Sequence, residues 1–354
     1  MERQPYPELL AAAWRDATAP RADDAPTVVS TFAGCGGSSL GYAMAGYREL
    51  LAVENDGHAA ETLRRNFPGL AVWEDDIAAL TVEEARARAG IDDLSELDVL
   101  DGSPPCQGFS TAGRRRTDDV RNRLPAEFAR LLGGLRPRAF VMENVAGMVR
   151  GKMAATFTDV TRLLVDQGYC VRVRLLNAKW YGVPQSRDRV IWVGVRDDLG
   201  VEPGHPAPLQ AVPYLYDDAV AGLGFEAELG PEATPGTVGR RFVEACAPGE
   251  DLQDTAQRLM RIGPNEARYF STVRLHRRRT PPTMLSSRGS WGLGMLHPDA
   301  DRGISIAAAK RIASVPDGFE LGEDFDAAWA RLGNLVPPLL MRAVALKVRG
   351  LIGR

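Results

Sequence analysis

Little in this sequence announces a metal centre, a membrane span or a disulfide framework. The 354 residues hold only four cysteines and four histidines. Cys35, Cys106, Cys170 and Cys246 are scattered, with no Cys-x-x-Cys pair and no histidine close by, so no zinc site, no other metal and no disulfide scaffold is expected. No apolar run reaches the length of a membrane span, and Met1 to Pro26 lack a charged-then-apolar signal pattern, so a cytoplasmic protein with no membrane partner is expected. A glycine-rich loop ending in Lys-Ser or Lys-Thr is also missing, which disfavours a nucleoside triphosphatase. The net charge of −3 does not mark a nucleic-acid binder by its size, so the placement of charge has to be read instead. Hydrophobic residues at 45% and charged residues at 25% are ordinary for a globular chain, and disorder is not expected.

What is there begins at Thr27-Val28-Val29-Ser30-Thr31-Phe32, a buried strand pattern that runs into Ala33-Gly34-Cys35-Gly36-Gly37-Ser38-Ser39 and then a helical stretch, Leu40 to Ala45. Strand, glycine turn and helix make the unit in which a ligand approaches backbone and helix N-terminus. A second strand, Glu49 to Val53, ends at Glu54, about twenty residues past the turn, where an acidic side chain can accept both hydroxyls of a ribose. A helix (His58 to Asn66) and a third strand (Leu70 to Trp73) follow, ending in Glu74-Asp75-Asp76-Ile77, where an aspartate can accept from an adenine amino group.

The stretch that organises the chain is Gly102-Ser103-Pro104-Pro105-Cys106-Gln107-Gly108-Phe109-Ser110, just after the apolar run Leu97 to Leu100. In an open α/β sheet the carboxyl ends of strands carry ligands and chemistry. Two prolines fix the backbone before the thiol and a glycine lets the chain turn after it, the presentation a nucleophile needs rather than a core cysteine. A polar segment, Thr111 to Leu124, with Arg114, Arg115 and Arg116, reads as a surface loop. The strand Ala139 to Met142 then ends in Glu143-Asn144-Val145, placing a carboxyl suited to general acid work at the same sheet edge. Between the strands Cys170 to Leu176 and Val190 to Val195 lies a Tyr181-Gly182-Val183-Pro184-Gln185 turn and then Arg187 and Arg189, which alternation points to one face. From about Arg196 periodicity fades and no strong helix pattern returns before Asp254 to Arg261; this irregular stretch holds the basic run Arg274 to Arg279. Gly333-Asn334-Leu335-Val336-Pro337-Pro338 and an apolar helix, Leu339 to Ile352, follow.

Taken in order, these motifs resemble those of the DNA (cytosine-5)-methyltransferases of the bacterial restriction-modification type. The Pro-Cys-Gln-x-Phe-Ser stretch, the Tyr-Gly-Val-Pro-Gln turn, the Gln-x-Arg-x-Arg segment and the Gly-Asn-Leu-Val-Pro-Pro stretch carry the resemblance. Arg302 to Phe319 resembles a further motif imperfectly, with Ala308, Ala313 and Val315 where the family pattern has other residues. The resemblance implies a Rossmann-like α/β fold, a doubly wound and mostly parallel sheet, with a smaller irregular target-recognition lobe. It implies a catalytic domain of residues 1–196 completed by 320–354, and a recognition lobe with hinge over 197–319. S-adenosylmethionine is the implied cofactor, S-adenosylhomocysteine its product, and duplex DNA the implied substrate. A cognate restriction endonuclease is a candidate partner, and a monomer is expected.

By the same resemblance Cys106, Glu143, Arg187 and Arg189 are the expected catalytic residues. Phe32, Ala33, Gly34, Gly36, Gly37, Glu54, Asn55, Asp76, Ile77, Pro105, Asn334 and Val336 are expected at the cofactor. Gln107, Ser110, Arg114, Arg115, Arg116, Arg274, Arg277 and Arg278 are expected at DNA. Two other readings stand beside this one: a tRNA cytosine-5-methyltransferase of the same family, and a catalytically silent DNA-binding regulator. The Gly108-Phe109-Ser110 ending follows the DNA-type pattern. Both Cys106 and Glu143 are present, and no helix-turn-helix pattern precedes Thr27.

Overall fold

The computed structural model describes residues 3–92, 96–105, 123–149, 153–232, 237–260, 272–289 and 292–354. The chain divides into two compact units. One comprises Arg15–Asn177, Asp188–Pro208 and Pro338–Arg354; the other comprises Met1–Trp14, Ala178–Arg187 and Leu209–Pro337. The last helix thus returns to the first unit, while the short turn 178–187 between two of its strands belongs to the second.

The first unit is built on a seven-stranded sheet in the order β3-β2-β1-β4-β5-β7-β6. The strands are β1 (Thr27–Thr31), β2 (Arg48–Val53), β3 (Ala71–Trp73), β4 (Val99–Gly102), β5 (Ala139–Val145), β6 (Tyr169–Asn177) and β7 (Asp188–Arg196). β1 pairs in parallel with β2 and β4, β2 with β3, and β4 with β5; only β7 runs against its neighbours β5 and β6. Order reverses at β1 and β4, the switch point where open α/β sheets bind ligands. Strands buried on both faces need continuous apolar runs, and β7 is one, with Val190 to Val193 fully enclosed.

Helices cover both faces. On one side α4 (Val82–Ala89), α5 (Leu124–Leu135) and α6 (Ala154–Val165) contribute Ala85, Phe128, Leu132 and Leu164 to a core with Leu51, Leu100, Phe140 and Trp192. On the other, α2 (Gly37–Met44) packs on α13 (Pro338–Leu351) so closely that a Cβ on Gly41 would lie 2.6 Å from the Cβ of Met341. α3 (Gly57–Asn66) is capped by Asp56, whose side chain accepts from the Ala59 amide at 2.8 Å.

The second unit carries a small sheet in the order β8-β11-β10-β9, made of β8 (Leu229–Glu232), β9 (Val273–Arg274), β10 (Met295–Leu296) and β11 (Arg302–Ile304). It also holds helices that sequence periodicity did not disclose: α7 (Tyr216–Val220), α8 (Phe225–Glu228) and α9 (Thr237–Ala245), all before α10 (Leu252–Met260). Helices of four to nine residues are shorter than the window in which a 3.6-residue repeat shows itself. α9 and α10 bury Phe242, Val243, Leu252 and Ala256 against Leu293 and Leu296. α11 (Ile306–Ile312) and α12 (Phe325–Asn334) complete the unit; Ala308, Ala313 and Val315 are buried there as apolar packing. Among the described residues no helix is long and apolar enough to cross a membrane.

Candidate active site

The carboxyl edge of the large sheet gathers the polar residues. β1 runs into Phe32, which adopts φ 53, a left-handed conformation that is uncommon and strained for an aromatic residue. Gly34 (φ 56) and Gly36 (φ 93) follow, so the chain turns sharply before α2. A Cβ on Gly36 would lie 2.8 Å from the Phe67 ring, whereas a Cβ on Gly34 would meet nothing within 4 Å. One glycine is therefore needed for packing and the other leaves open space above the turn.

Glu54, at the end of β2, lies under that space. Its carboxylate accepts from the amides of Gly34 at 2.7 Å, Asp56 at 2.9 Å and Asn55 at 3.0 Å. Burial pushes its pKa up while these three amides pull it down. Asp76 caps the short helical turn Ile77–Ala79 through the Ala78 amide at 2.9 Å and is exposed; Ile77 beside it is buried. Ala33 is buried, and Asn55 is exposed. An open glycine turn flanked by two carboxylates, on successive parallel strands, fits a cofactor with an amino-acid end and an adenosine end.

β4 leads to the cysteine loop. Gly102 is required there, since a Cβ would lie 2.4 Å from the Thr31 hydroxyl and 2.7 Å from Phe128. Pro104 is buried and Pro105 exposed. The carbonyl of Pro104 accepts from Asn144 Nδ2 at 2.9 Å, so β5 holds the start of the loop in place. Sequence reasoning passed over Asn144; its one signal was its place directly after Glu143. Cys106, Gln107, Ser110, Arg114, Arg115 and Arg116 lie outside the described residues.

Glu143 and Arg189 meet on the same sheet. The Arg189 Nε lies 2.5 Å from Glu143 Oε1, and both side chains are about nine-tenths removed from solvent, at 10% and 8% exposure. Antiparallel pairing of β5 with β7 puts Glu143 opposite Ile191, two residues from Arg189 and on the same face. Arg189 Nη1 also donates to the Asp188 carbonyl at 2.8 Å. A buried ion pair of this kind is costly to break, because the surviving partner is left as an unpaired charge.

Arg187 belongs to the second unit and serves its backbone. Its guanidinium donates to the carbonyls of Met284 at 2.8 Å and Gly333 at 2.7 Å. Gly333 has to be glycine: a Cβ would lie 2.3 Å from the Ser286 amide. Asn334 is exposed at the end of α12, and Val336 is buried.

The basic run separates into pinned and presented residues. Arg274, expected at DNA, is 4% exposed; its guanidinium donates to the carbonyls of Val243, His297 and Ala300 and pairs with Asp301. It is a brace within the lobe, because both terminal nitrogens are committed to protein oxygen and the side chain is buried. Arg277 is neutralised by Asp299 at 2.6 Å and Glu228 at 3.0 Å, with Asp217 at 3.2 Å. Arg278 and Arg279 are exposed on the turn that the Arg279 amide closes onto the His276 carbonyl at 3.1 Å.

A family model described as C-5 cytosine-specific DNA methylase matches residues 27–349. Type II methyltransferase M1.HphI of Haemophilus parahaemolyticus is 31% identical over 332 residues, which are 90% of this chain and 85% of that protein. Type II methyltransferase M.XorII of Xanthomonas oryzae pv. oryzae is 33% identical, with 90% of this chain and 83% of that protein covered. Among solved structures, a prophage-encoded DNA modification methyltransferase of E. coli superposes with a TM-score of 0.71 at 25% identity, covering 93% of this chain and all (100%) of the other. The Spodoptera frugiperda DNMT2 structure shares the fold, with a TM-score of 0.65 at 16% identity, over 92% of this chain and 99% of its own.

Proposed function

The chain belongs to the C-5 cytosine-specific DNA methylase family, and from that premise we propose how its residues carry out the reaction. The protein is a DNA (cytosine-5)-methyltransferase: it transfers a methyl group from S-adenosylmethionine to carbon 5 of cytosine in DNA. S-adenosylmethionine supplies the electrophilic methyl. The Gly34–Gly37 turn takes its amino-acid end, Glu54 the ribose hydroxyls and Asp76 the adenine amino group, with Phe32, Ala33, Asn55, Ile77, Pro105, Asn334 and Val336 as further contacts.

Carbon 5 of an aromatic cytosine is a weak nucleophile until conjugation is broken. Cys106 thiolate adds to carbon 6, and the displaced electron density reaches ring nitrogen 3 and the ring carbonyl. Glu143 holds a proton at nitrogen 3 and Arg189 faces the carbonyl, a preorganised answer to the charge that develops. Carbon 5 then takes the methyl, its proton leaves to a base or water, and the thiolate departs as the double bond reforms. A base inside a duplex offers neither carbon 6 nor nitrogen 3 to these groups, so the target cytosine is turned out of the helix. Arg187 is a positioning residue that secures Met284 and Gly333. Residues 1–196 completed by 320–354 form the catalytic domain, and residues 197–319 form the recognition lobe with its hinge, where Arg278 meets phosphate. A cytoplasmic monomer is the expected form, and a restriction endonuclease of matching specificity is a candidate partner.

The observation that supports this mechanism is the buried Glu143–Arg189 pair beside the Asn144 bond to Pro104, two residues before Cys106 in the chain. Transfer of tritium from methyl-labelled S-adenosylmethionine to duplex DNA and, separately, to bulk tRNA tests it. Label enters DNA with the intact protein and is lost with Cys106→Ala. Label confined to tRNA, or a Cys106→Ala variant that still methylates DNA, would overturn it.

A further inference from the structure

Two carboxyls that the mechanism does not use lie behind the glycine turn, that of the half-buried Glu49, whose Oε2 is shut off from solvent, and that of the buried Asp101. Their presence there traces to one irregularity. β1 pairs Val28 with Glu49 but Val29 with Leu51, so β2 carries an extra residue at Leu50. In a regular strand Glu49, Leu51 and Val53 would share a face. Leu51 and Val53 do pack in the core with Ile77, Leu80 and Ala85. The bulge turns Glu49 to the opposite face, under α2. Bulges of this kind re-aim a single side chain, and this one delivers an acid to the helix that opens the cofactor turn.

There Glu49 Oε1 accepts from the Ser39 hydroxyl at 2.9 Å. Ser39 lies three residues after Gly36, in the first turn of α2, and is fully buried. Glu49 Oε2 and Ser30 Oγ are also shut off from solvent, and neither has a well-formed hydrogen bond, although the Ser30 hydroxyl lies beside the Glu49 carboxyl. A hydrogen bond between Oε2 and Ser30 Oγ gives both atoms a partner, the carboxyl donating when neutral and the hydroxyl donating when Glu49 is ionised. An ionised Glu49 leaves a buried carboxylate facing a second acid, because Ser30 pairs across the ladder with Asp101.

We propose that Glu49 is a positioning residue for cofactor binding: as a neutral acid it bridges Ser30 of β1 to Ser39 of α2 and so holds the Gly34–Gly37 turn in its binding geometry. The inference rests on the assignment of that turn to S-adenosylmethionine. Burial pushes the Glu49 carboxyl up to about 7, against the opposing pull of the Ser30 and Ser39 hydroxyls. The groups facing this acid and its neighbour come from every element packed here. They are Ser38, Ser39 and Tyr42 of α2, Ser30 of β1 and Asp101 of β4, with Glu143 of β5 acting on Asp101. Asp101 accepts from Tyr42 Oη at 3.2 Å and from the Ser38 hydroxyl, and burial raises its pKa as well. As pH rises through the Glu49 transition, the Ser30 hydroxyl has to turn from acceptor to donor and negative charge accumulates beside Asp101, which loosens the first turn of α2.

The test is calorimetric titration of the full-length protein with S-adenosylmethionine from pH 5.5 to 8.5, for wild type, Glu49→Gln and Glu49→Leu. The amide reproduces both bonds of the neutral acid and has no proton to lose. For wild type, affinity is expected to fall above pH 7 by up to about tenfold per unit, the limit for one linked proton. Glu49→Gln is expected to match wild type at pH 6 and to lack that fall. The amino group of the cofactor titrates near pH ~8, so the difference between wild type and Glu49→Gln is the quantity read. Glu49→Leu is expected to bind weakly at every pH, with DNA binding retained. Equal pH profiles for wild type and Glu49→Gln, or full affinity in Glu49→Leu, would overturn this inference alone. Failure of the wild type to bind S-adenosylmethionine at any pH would overturn the cofactor assignment on which it rests.

Discussion

At the scale of single residues, the site depends on groups whose neighbours leave them one role. Glu143 is enclosed and paired with Arg189, and exchanging its carboxyl for an amide keeps the shape while removing the group proposed to hold the proton at nitrogen 3. Glu143→Gln should lower kcat by roughly 10²–10⁴, with S-adenosylmethionine affinity unchanged by calorimetry; a comparable loss of cofactor affinity would place Glu143 elsewhere in the mechanism. Gly36 is held at φ 93 against Phe67, so Gly36→Ala should abolish cofactor binding, while Gly34→Ala, with open space around it, fills the cofactor's own volume and raises KM. Cys106, Glu143 and Glu54 were candidates from sequence because each follows an apolar strand pattern; of these the described residues include Glu143 and Glu54. The partnership of Glu143 with Arg189 could not be read from sequence, since it follows from β7 running antiparallel beside β5. Nor could Arg187 be assigned to backbone carbonyls at Met284 and Gly333, which are 97 and 146 residues away in the chain.

At the scale of elements, the basic turn 276–279 shows how a run of like charges is divided by its surroundings. Glu228 accepts from Tyr216 Oη at 3.0 Å, lies 3.0 Å from Arg277 Nη1 and meets His297 Nε2 at 3.0 Å. His297 Nδ1 accepts the Asp299 amide, so Nε2 carries the hydrogen, and burial lowers the pKa of the ring. Arg277 is thereby drawn inward and Arg278 left outward. Arg278→Ala should reduce the salt dependence of DNA binding by about one counterion and leave stability unaltered; an unchanged slope would remove Arg278 from the interface. Glu228→Ala leaves the buried His297 ring and the Tyr216 hydroxyl without their acceptor, while Arg277 keeps Asp299 and Asp217, and should cost about 1–3 kcal/mol in chemical denaturation. The run itself was visible in the sequence, but its division was not. The acids that sort it, at positions 217, 228, 299 and 301, come from separate segments of the lobe.

For the whole molecule, the alternation of strands and helices from Thr27 to Arg196 was readable because a doubly covered sheet demands apolar strands at regular spacing. Short elements of the lobe, two- to four-residue strands among them, follow no period and emerge only from the fold. The buried acids add a pH signature to global stability. Glu49 and Asp101 have folded-state pKa values raised above their unfolded values, so the native state binds protons more tightly than the unfolded chain. For Glu49 the native state is favoured most below the ordinary carboxylate range, and its contribution declines as pH rises to about 7, then levels. Denaturant unfolding at pH 5 to 8 should show this decline, and Glu49→Gln should remove part of it; an identical slope in the variant would contradict the burial of that carboxyl.

The proposed mechanism requires Cys106 to form a covalent bond to the cytosine it helps to methylate. The most direct measurement is trapping on duplex DNA bearing 5-fluorocytosine at the target position, which the product of an ordinary methylation reaction first identifies. Fluorine does not leave as the proton does, so the adduct cannot resolve. The account predicts a complex that survives denaturation, forms only with S-adenosylmethionine present, and yields by mass spectrometry a peptide joined to methylated fluorocytosine through Cys106. An enzyme that methylates ordinary duplex DNA yet forms no such complex, or one joined through Cys35, Cys170 or Cys246, would contradict it.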